Sequence, residues 1–491
     1  MNKSKNKTMK NRILSLIIVA MAMFFAGCQD LEELNVNPNS PTVEKANPSL
    51  LLPKILYEVG NEITNGLAWG LGMQVSQAAS SNNFTGSDIY SWGTYGGTWN
   101  LFYRNARDCQ NLYVIGEERN NDNLKAISLV IKSYIFTTAT EMWGDIPYSE
   151  ALSGKTDGNF QPTYDSQKSI YEGILRDYDL ALTLFNDLNS VDGDIMFDGD
   201  VNKWRKLTNS LKIRTIMRLE NKWSEMGLSA ADLQSIVSTG MIMESNDDNG
   251  KVDYLANAPN QWPKYAGRVG GFDEKRMSKR SELRLKSMND PRMMILFRQV
   301  DNPDSAGVFR GVANGLSEDN AQKYNGGAKN QSRLGLRFRE IPDAVDMMFM
   351  HYSELQFLLA EAAEKGYISG TAETYYNNGV QANFDYLGAV MDGSYMTQEG
   401  VDYNLNSNES KLELIAKQKW ISLFMCGLES WFDWRRTGLP YMKPGQDALF
   451  DQVPVRIQYP DDEKVLNKSN YDAVISSQGP DEIITDFWLL K

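Results

Sequence analysis

Two stretches of the chain carry the residue types that recognise sugars. Ser81-Asn82-Asn83-Phe84 to Tyr90-Ser91-Trp92-Gly93-Thr94-Tyr95, and Asn260-Gln261-Trp262-Pro263-Lys264-Tyr265-Ala266-Gly267-Arg268, each set aromatic rings among amides, hydroxyls and a cation or carboxylate. A sugar presents apolar C–H faces ringed by hydroxyls, so its site wants exposed aromatic platforms flanked by hydrogen-bonding side chains. On this ground Trp92, Tyr95, Trp262 and Tyr265 are expected to stack on a ligand, with Asn82, Asn83 and Arg268 as hydrogen-bonders. One platform from each stretch would make an aromatic cleft lined with amides.

Catalytic chemistry has little to work with. His351 is the only histidine of 491 residues, which excludes Ser-His-Asp and Cys-His nucleophiles, a histidine general base and histidine-rich zinc sites. His351 falls at the start of a helix with an apolar face, where a structural role is expected. No calcium loop with EF-hand spacing is present, and neither a metal nor a cofactor is expected. The rival reading is an enzyme using carboxylates. Glu141, Asp145 and Glu150 cluster near aromatics, and a glycosidase needs only two carboxyls about 5 to 9.5 Å apart. Their spacing does not separate them from ordinary solvated acids. A scaffold of helical repeats is a second rival.

The elements that would position these residues read as helices. Apolar residues at Ile170, Ile174, Leu175, Tyr178, Leu182 and Phe185 lie on one helix face, with Asp165 as the N-cap. Helices are likewise expected over Lys125 to Met142, over Val201 to Glu220 and over Leu412 to Phe424. Two more, carrying Leu355 to Ala363 and Tyr376 to Leu387, join through a Gly-containing turn with small residues facing each other. Such pairs resemble tetratricopeptide units, although no strict repeat is visible. The expected fold is all-α, a superhelical scaffold of helix-turn-helix pairs with an irregular loop-rich lobe. That lobe is placed around residues 77–97 and 240–340, since long irregular regions in compact proteins are usually functional. The run Lys275, Arg276, Lys279, Arg280, Arg284 reads as a solvated basic face.

The front of the chain reads as an export signal. Lys3, Lys5, Lys7, Lys10 and Arg12 precede an apolar run from Ile13 to Phe25, and Phe25-Ala26-Gly27-Cys28 resembles a lipobox. Residues 1–27 are therefore expected to be removed, Cys28 to be acylated, and 28–45 to form a polar tether to a body at 46–491. The whole chain has 50 basic and 63 acidic residues, a net charge of −13. Removing the first 27 residues, with five basic and no acidic side chains, leaves 45 against 63, or −18. That balance argues against nucleic acid and against electrostatic attachment to anionic lipid. Beyond Cys28 only Cys109 and Cys426 remain, each within an expected helix, so two buried thiols are favoured over a disulfide.

Several blocks, in order, resemble one family. They include Leu34-Asn35-Val36-Asn37-Pro38-Asn39, Met142-Trp143-Gly144-Asp145-Ile146-Pro147-Tyr148, and Gly199-Asp200-Val201-Asn202-Lys203-Trp204. Gln418-Lys419-Trp420, Trp434-Arg435-Arg436-Thr437-Gly438 and Pro454-Val455-Arg456 continue the series. Together they resemble the SusD/RagB nutrient-binding outer-membrane lipoproteins. The resemblance implies a glycan-binding or, in some members, peptide-binding protein with no catalytic residues. It also implies a SusC-like TonB-dependent transporter as partner, with the protein on the extracellular side of the outer membrane. Trp420, Trp431 and Trp434, beside the Arg-Arg-Thr-Gly block, are assigned to packing and cation–π contacts.

Overall fold

The structure, a computed structural model, describes residues 47–268, 273–405 and 409–491. The expected signal, Cys28 and the tether lie outside them. The body from Asn47 onward is one compact unit.

Helices dominate, and most of the expected ones are present within a residue or three. They include α1 (Pro48–Asn61), α2 (Gly96–Glu118), α3 (Asp122–Trp143), α4 (Gln167–Leu184), α5 (Val201–Arg218), α6 (Tyr352–Glu364), α7 (Ala372–Leu387), α8 (Lys411–Ser422) and α9 (Glu429–Thr437), with others between and after them. Local chemistry sets their starts. Asn121 caps α3 by accepting from Leu124 N at 3.1 Å, and Asp200 caps α5 by accepting from Asn202 N at 2.9 Å. At α8, Ser410 and Glu413 form a reciprocal capping box. The cap of α4 is Ser166, not Asp165 as the sequence suggested. Asp165 instead accepts from the backbone N–H groups of Tyr148 and Ser149 at 2.9 and 2.8 Å, which fixes the turn after α3.

Consecutive helices pack as pairs, α2 on α3, α3 on α4 and α6 on α7. Between α6 and α7 the small residue is Gly379, where a Cβ would stand 2.9 Å from the Phe357 ring. The pairs are locked by buried ions. Arg436 on α9 donates to both Glu361 oxygens of α6 at 2.6 Å each and to Asp433 at 2.9 Å. Arg214 on α5 makes a two-pronged contact with Glu354 at 2.7 and 2.6 Å. Removing one partner of such a pair costs about 3–5 kcal/mol, because the other charge is left buried.

Only two small sheets occur among the described residues. β1 (Ala79–Ser81) pairs antiparallel with β3 (Lys275–Met277), and β2 (Gly250–Asp253) with β4 (Asp346–Met350). The first of these joins the two irregular regions, setting Ser81 opposite Lys275. It also overturns the solvated basic face. Lys275 and Arg276 are buried in the ladder, Arg280 donates to Gln77 Oε1 at 2.9 Å, and the Arg284 guanidinium sits 4.5 Å from the Trp420 ring centroid. Lys275 and Arg276 are covered where β3 pairs with β1, whereas Lys279, on the helix that follows, stays partly exposed and pairs with Glu282 at 2.8 Å.

Cys109 and Cys426 are both free and buried, and burial pushes both thiols above their ordinary range. His351 is 2 % exposed, with its ring edge-on to Tyr386 at 4.5 Å. Among the described residues no helix is long and apolar enough to cross a membrane.

Candidate functional site

α1 runs directly into an eleven-residue π-helix, Glu62–Gly72, against which both aromatic stretches pack. π-Helical segments are rare and frequent at functional sites. On the first stretch, the Ser87 hydroxyl donates to Gly70 O at 2.9 Å, and Thr98 on α2 donates to Glu62 Oε1 at 2.5 Å. On the second, Trp262 packs edge-on against Trp69 at 5.9 Å, and the Lys264 ammonium lies 5.3 Å from the Trp69 ring centroid.

Trp92 and Tyr95 are half-buried. Trp92 Nε1 donates to Ser87 O at 3.1 Å, and its ring meets Tyr90 and Trp431 edge-on at 6.1 and 5.7 Å. Tyr95 sits in the left-handed region with φ +52° and opens α2. Burial, and then the negative charge of Glu62, hold its hydroxyl above the ordinary tyrosine range, so it is a neutral donor. Tyr265 is half-buried too. The Arg268 guanidinium stacks 3.5 Å from its ring centroid and donates to Tyr265 O at 2.7 Å. One face of Tyr265 is therefore already covered by a cation.

Two expected ligand residues have other work. Trp262 is 0 % exposed, its Nε1 donating to Phe338 O at 2.7 Å and its ring wedged between Trp69 and Tyr254. It has no face open to a sugar and is a core residue. Asn82 is buried as well; its N–H donates to Glu274 O at 2.9 Å and its Nδ2 to Gln331 Oε1 at 2.8 Å. It ties the two irregular regions together beyond the β1–β3 ladder. Asn83 is half-buried and accepts from Gln322 at 3.2 Å. The structure thus joins the two stretches through β1, β3 and the π-helix, without direct contact between the Trp92–Tyr95 and Trp262–Tyr265 rings.

Buried polar groups hold this frame. Asp88 accepts from Ser81 N at 2.7 Å and from Asn314 Nδ2 at 2.6 Å, and burial pushes its carboxyl up to about 6. Burial likewise pushes Lys275 down to about 8.

Two exposed aromatics were missed as ligand candidates. Phe84, 65 % exposed, sits in the left-handed region at φ +53°. Tyr441, 71 % exposed, rides on a loop held by Arg280 Nη1 to Tyr441 O at 2.5 Å and Gln77 Nε2 to Lys443 O at 2.7 Å. The same loop reaches the first stretch through Leu449 N to Ile89 O at 3.0 Å. The signal for Tyr441 was the Gly438-Leu439-Pro440 stop after α9, which sends an aromatic into a loop.

Each of the candidate acids is engaged by hydrogen bonds within the fold, Asp145 accepting from Gln167 N at 2.7 Å. Glu141 is buried, accepting from the Tyr171 hydroxyl at 2.5 Å and paired with Arg435. Glu150 lies at the surface and accepts from Thr163 N and Oγ1 at 3.2 and 3.1 Å. Among the described residues, no cluster of His, Cys, Asp and Glu could hold a metal ion. What this face offers is rings, amides and hydroxyls, a binding surface.

A family model described as SusD-like, starch-binding and associating with the outer membrane matches residues 38–460. No curated protein matches the sequence. Among solved structures, a SusD homologue from Bacteroides fragilis is 28% identical with a TM-score of 0.77, over 91% of this chain and 99% of that one. A protein described as chitin-binding is 25% identical with a TM-score of 0.77, over 91% of this chain and 100% of the other. A chitin-binding SusD homologue from Flavobacterium johnsoniae, at 23% identity and TM-score 0.75 over 90% of this chain and 97% of its own, shares the fold.

Proposed function

Because the chain belongs to the SusD-like family of starch-binding proteins that associate with the outer membrane, we propose that it captures oligosaccharides at the cell surface without turning them over. The observation that supports this reading is the π-helix, whose Gly70 accepts from Ser87 of the first stretch, whose Glu62 accepts from Thr98 just beyond it, and whose Trp69 packs against Trp262 and Lys264 of the second. Trp92 and Tyr95 then act as stacking platforms, with Asn83 donating to or accepting from sugar hydroxyls and Arg268 donating to them. Phe84 and Tyr441 extend the aromatic surface. Trp262 and Asn82 support the site from below and are not assigned ligand contacts.

Delivery follows from the same reading. The acylated Cys28 and the tether at 28–45 hold the body on the outer membrane, facing outward, where it hands its ligand to a SusC-like TonB-dependent transporter. The net charge of −18 for the processed chain favours neutral glycans over sulfated or uronate-rich ones. Calorimetric titration of the mature protein in detergent with maltoheptaose and chitohexaose tests the site. Saturable binding that weakens in Trp92→Ala and Tyr95→Ala supports it; binding indifferent to both substitutions removes this face from the account.

A further inference from the structure

A groove of about 830 Å³ lies between α1, the loop before α5 and the strand β2, and none of the rings Trp92, Tyr95, Trp262 or Tyr265 lines it. We propose that it docks an extended peptide segment of a protein partner, which adds a strand to the free edge of β2. The proposal does not depend on the glycan reading.

Three observations converge. First, β2 belongs to a two-stranded sheet, and among the described residues its backbone groups pair with nothing but β4. Val252 and Asp253 of this strand line the groove. An unpaired strand edge is a template for another chain, and strand addition supplies affinity through main-chain hydrogen bonds. Second, an apolar patch sits among the charged residues of the facing wall and rim. Met196 and Phe197 line the wall, while Ile195 and Leu255 stand at the rim 45 % and 54 % exposed. Branched aliphatics at this exposure around a concave strand edge suit the alternate side chains of an extended peptide. Third, Lys203 and Asp198 line the groove, and neither makes an ion pair with another described residue. One charge of each sign on the rim would fix the direction of a segment that carries the complementary pair.

A glycan is a poorer fit. The groove's only half-open ring is Tyr57, and it is already engaged edge-on with Tyr254 at 6.5 Å. Sugar sites are built on free aromatic platforms.

The test uses the mature chain in detergent with short acetylated and amidated peptides of alternating Val and Thr, ending in Lys or in Glu. Hydrogen exchange read by mass spectrometry should show saturable slowing at Gly250–Asp253. N-methylation of alternate peptide amides, which leaves the side chains in place, should weaken binding by about tenfold or more. The double substitution Ile195→Asp with Leu255→Asp, both at exposed positions, should do the same with the fold intact. Equal binding by the N-methylated peptides, or binding of no peptide below millimolar, overturns the proposal. So does slowing at β2 produced by maltoheptaose, or protection that appears only with self-association in sedimentation.

Discussion

Trp92 stands edge-on to Trp431, ring centroids 5.7 Å apart and planes at 89°. Trp431 is wholly buried, its Nε1 donates to Pro454 O at 2.8 Å, and the Arg435 guanidinium sits 4.5 Å from its ring. The helix bearing the Arg-Arg-Thr-Gly block therefore aims the half-exposed Trp92. Trp92→Ala is expected to weaken oligosaccharide binding about five- to tenfold, near 1 kcal/mol, with little change in stability. Trp431→Ala should lower both, losing about 3–5 kcal/mol of stability. Paired calorimetry and urea denaturation check the contrast; equal stability losses in the two variants would contradict it.

Trp262 supplies a second contrast. With 0 % exposure and a hydrogen bond to Phe338 O at 2.7 Å, it acts on stability. Trp262→Ala should cost about 3–5 kcal/mol, and Trp262→Phe should recover most of the packing and keep ligand affinity. A Trp262→Phe protein that is stable but blind to glycan would return Trp262 to the site.

Sole histidine His351 makes stability depend on pH in a defined window. Burial first, then the charges of Arg337 and Arg214, push the imidazole from 6.5 down to about 3. The folded protein keeps it neutral, while the unfolded chain takes up a proton below pH 6.5. The contribution is therefore whole above that pH and drains as pH falls toward 3. Urea midpoints at pH 7.5 and 4.5 should show His351→Gln losing about 2–3 kcal/mol less than the parent across this interval, following 1.4 kcal/mol per unit. Parallel losses in both proteins would contradict the assignment.

Acylation at Cys28 is tested by location. Cys28→Ala should move the protein from the membrane pellet to the soluble fraction, since it removes the residue proposed to carry the lipid. Retention in the pellet would point to another anchor.

The scaffold was legible in the sequence because its helices obey local rules. The 3.6-residue stripes at Ile170 to Phe185 and Leu355 to Ala363 lie where the structure has α4 and α6. The cap at Asp165 was misread because Ser166 follows it with equal capping chemistry, and only the tertiary turn shows which is spent on Tyr148 and Ser149. The site was less legible. Trp92 and Trp262 both sit in loop stretches that set Asn and Gly beside a second aromatic, yet one keeps a face in solvent and the other fills a gap between Trp69 and Tyr254. Burial of an aromatic in a loop is decided by what packs over it, and sequence spacing does not carry that. The pairing of β1 with β3 joins residues almost 200 positions apart and has no local signature.

The most direct test of capture without catalysis is to mix the mature protein with maltoheptaose and chitohexaose and follow binding and product in the same sample. The account predicts saturable heat with the oligosaccharide recovered intact after prolonged incubation. Shortened products that vanish on changing one carboxylate to its amide would contradict it.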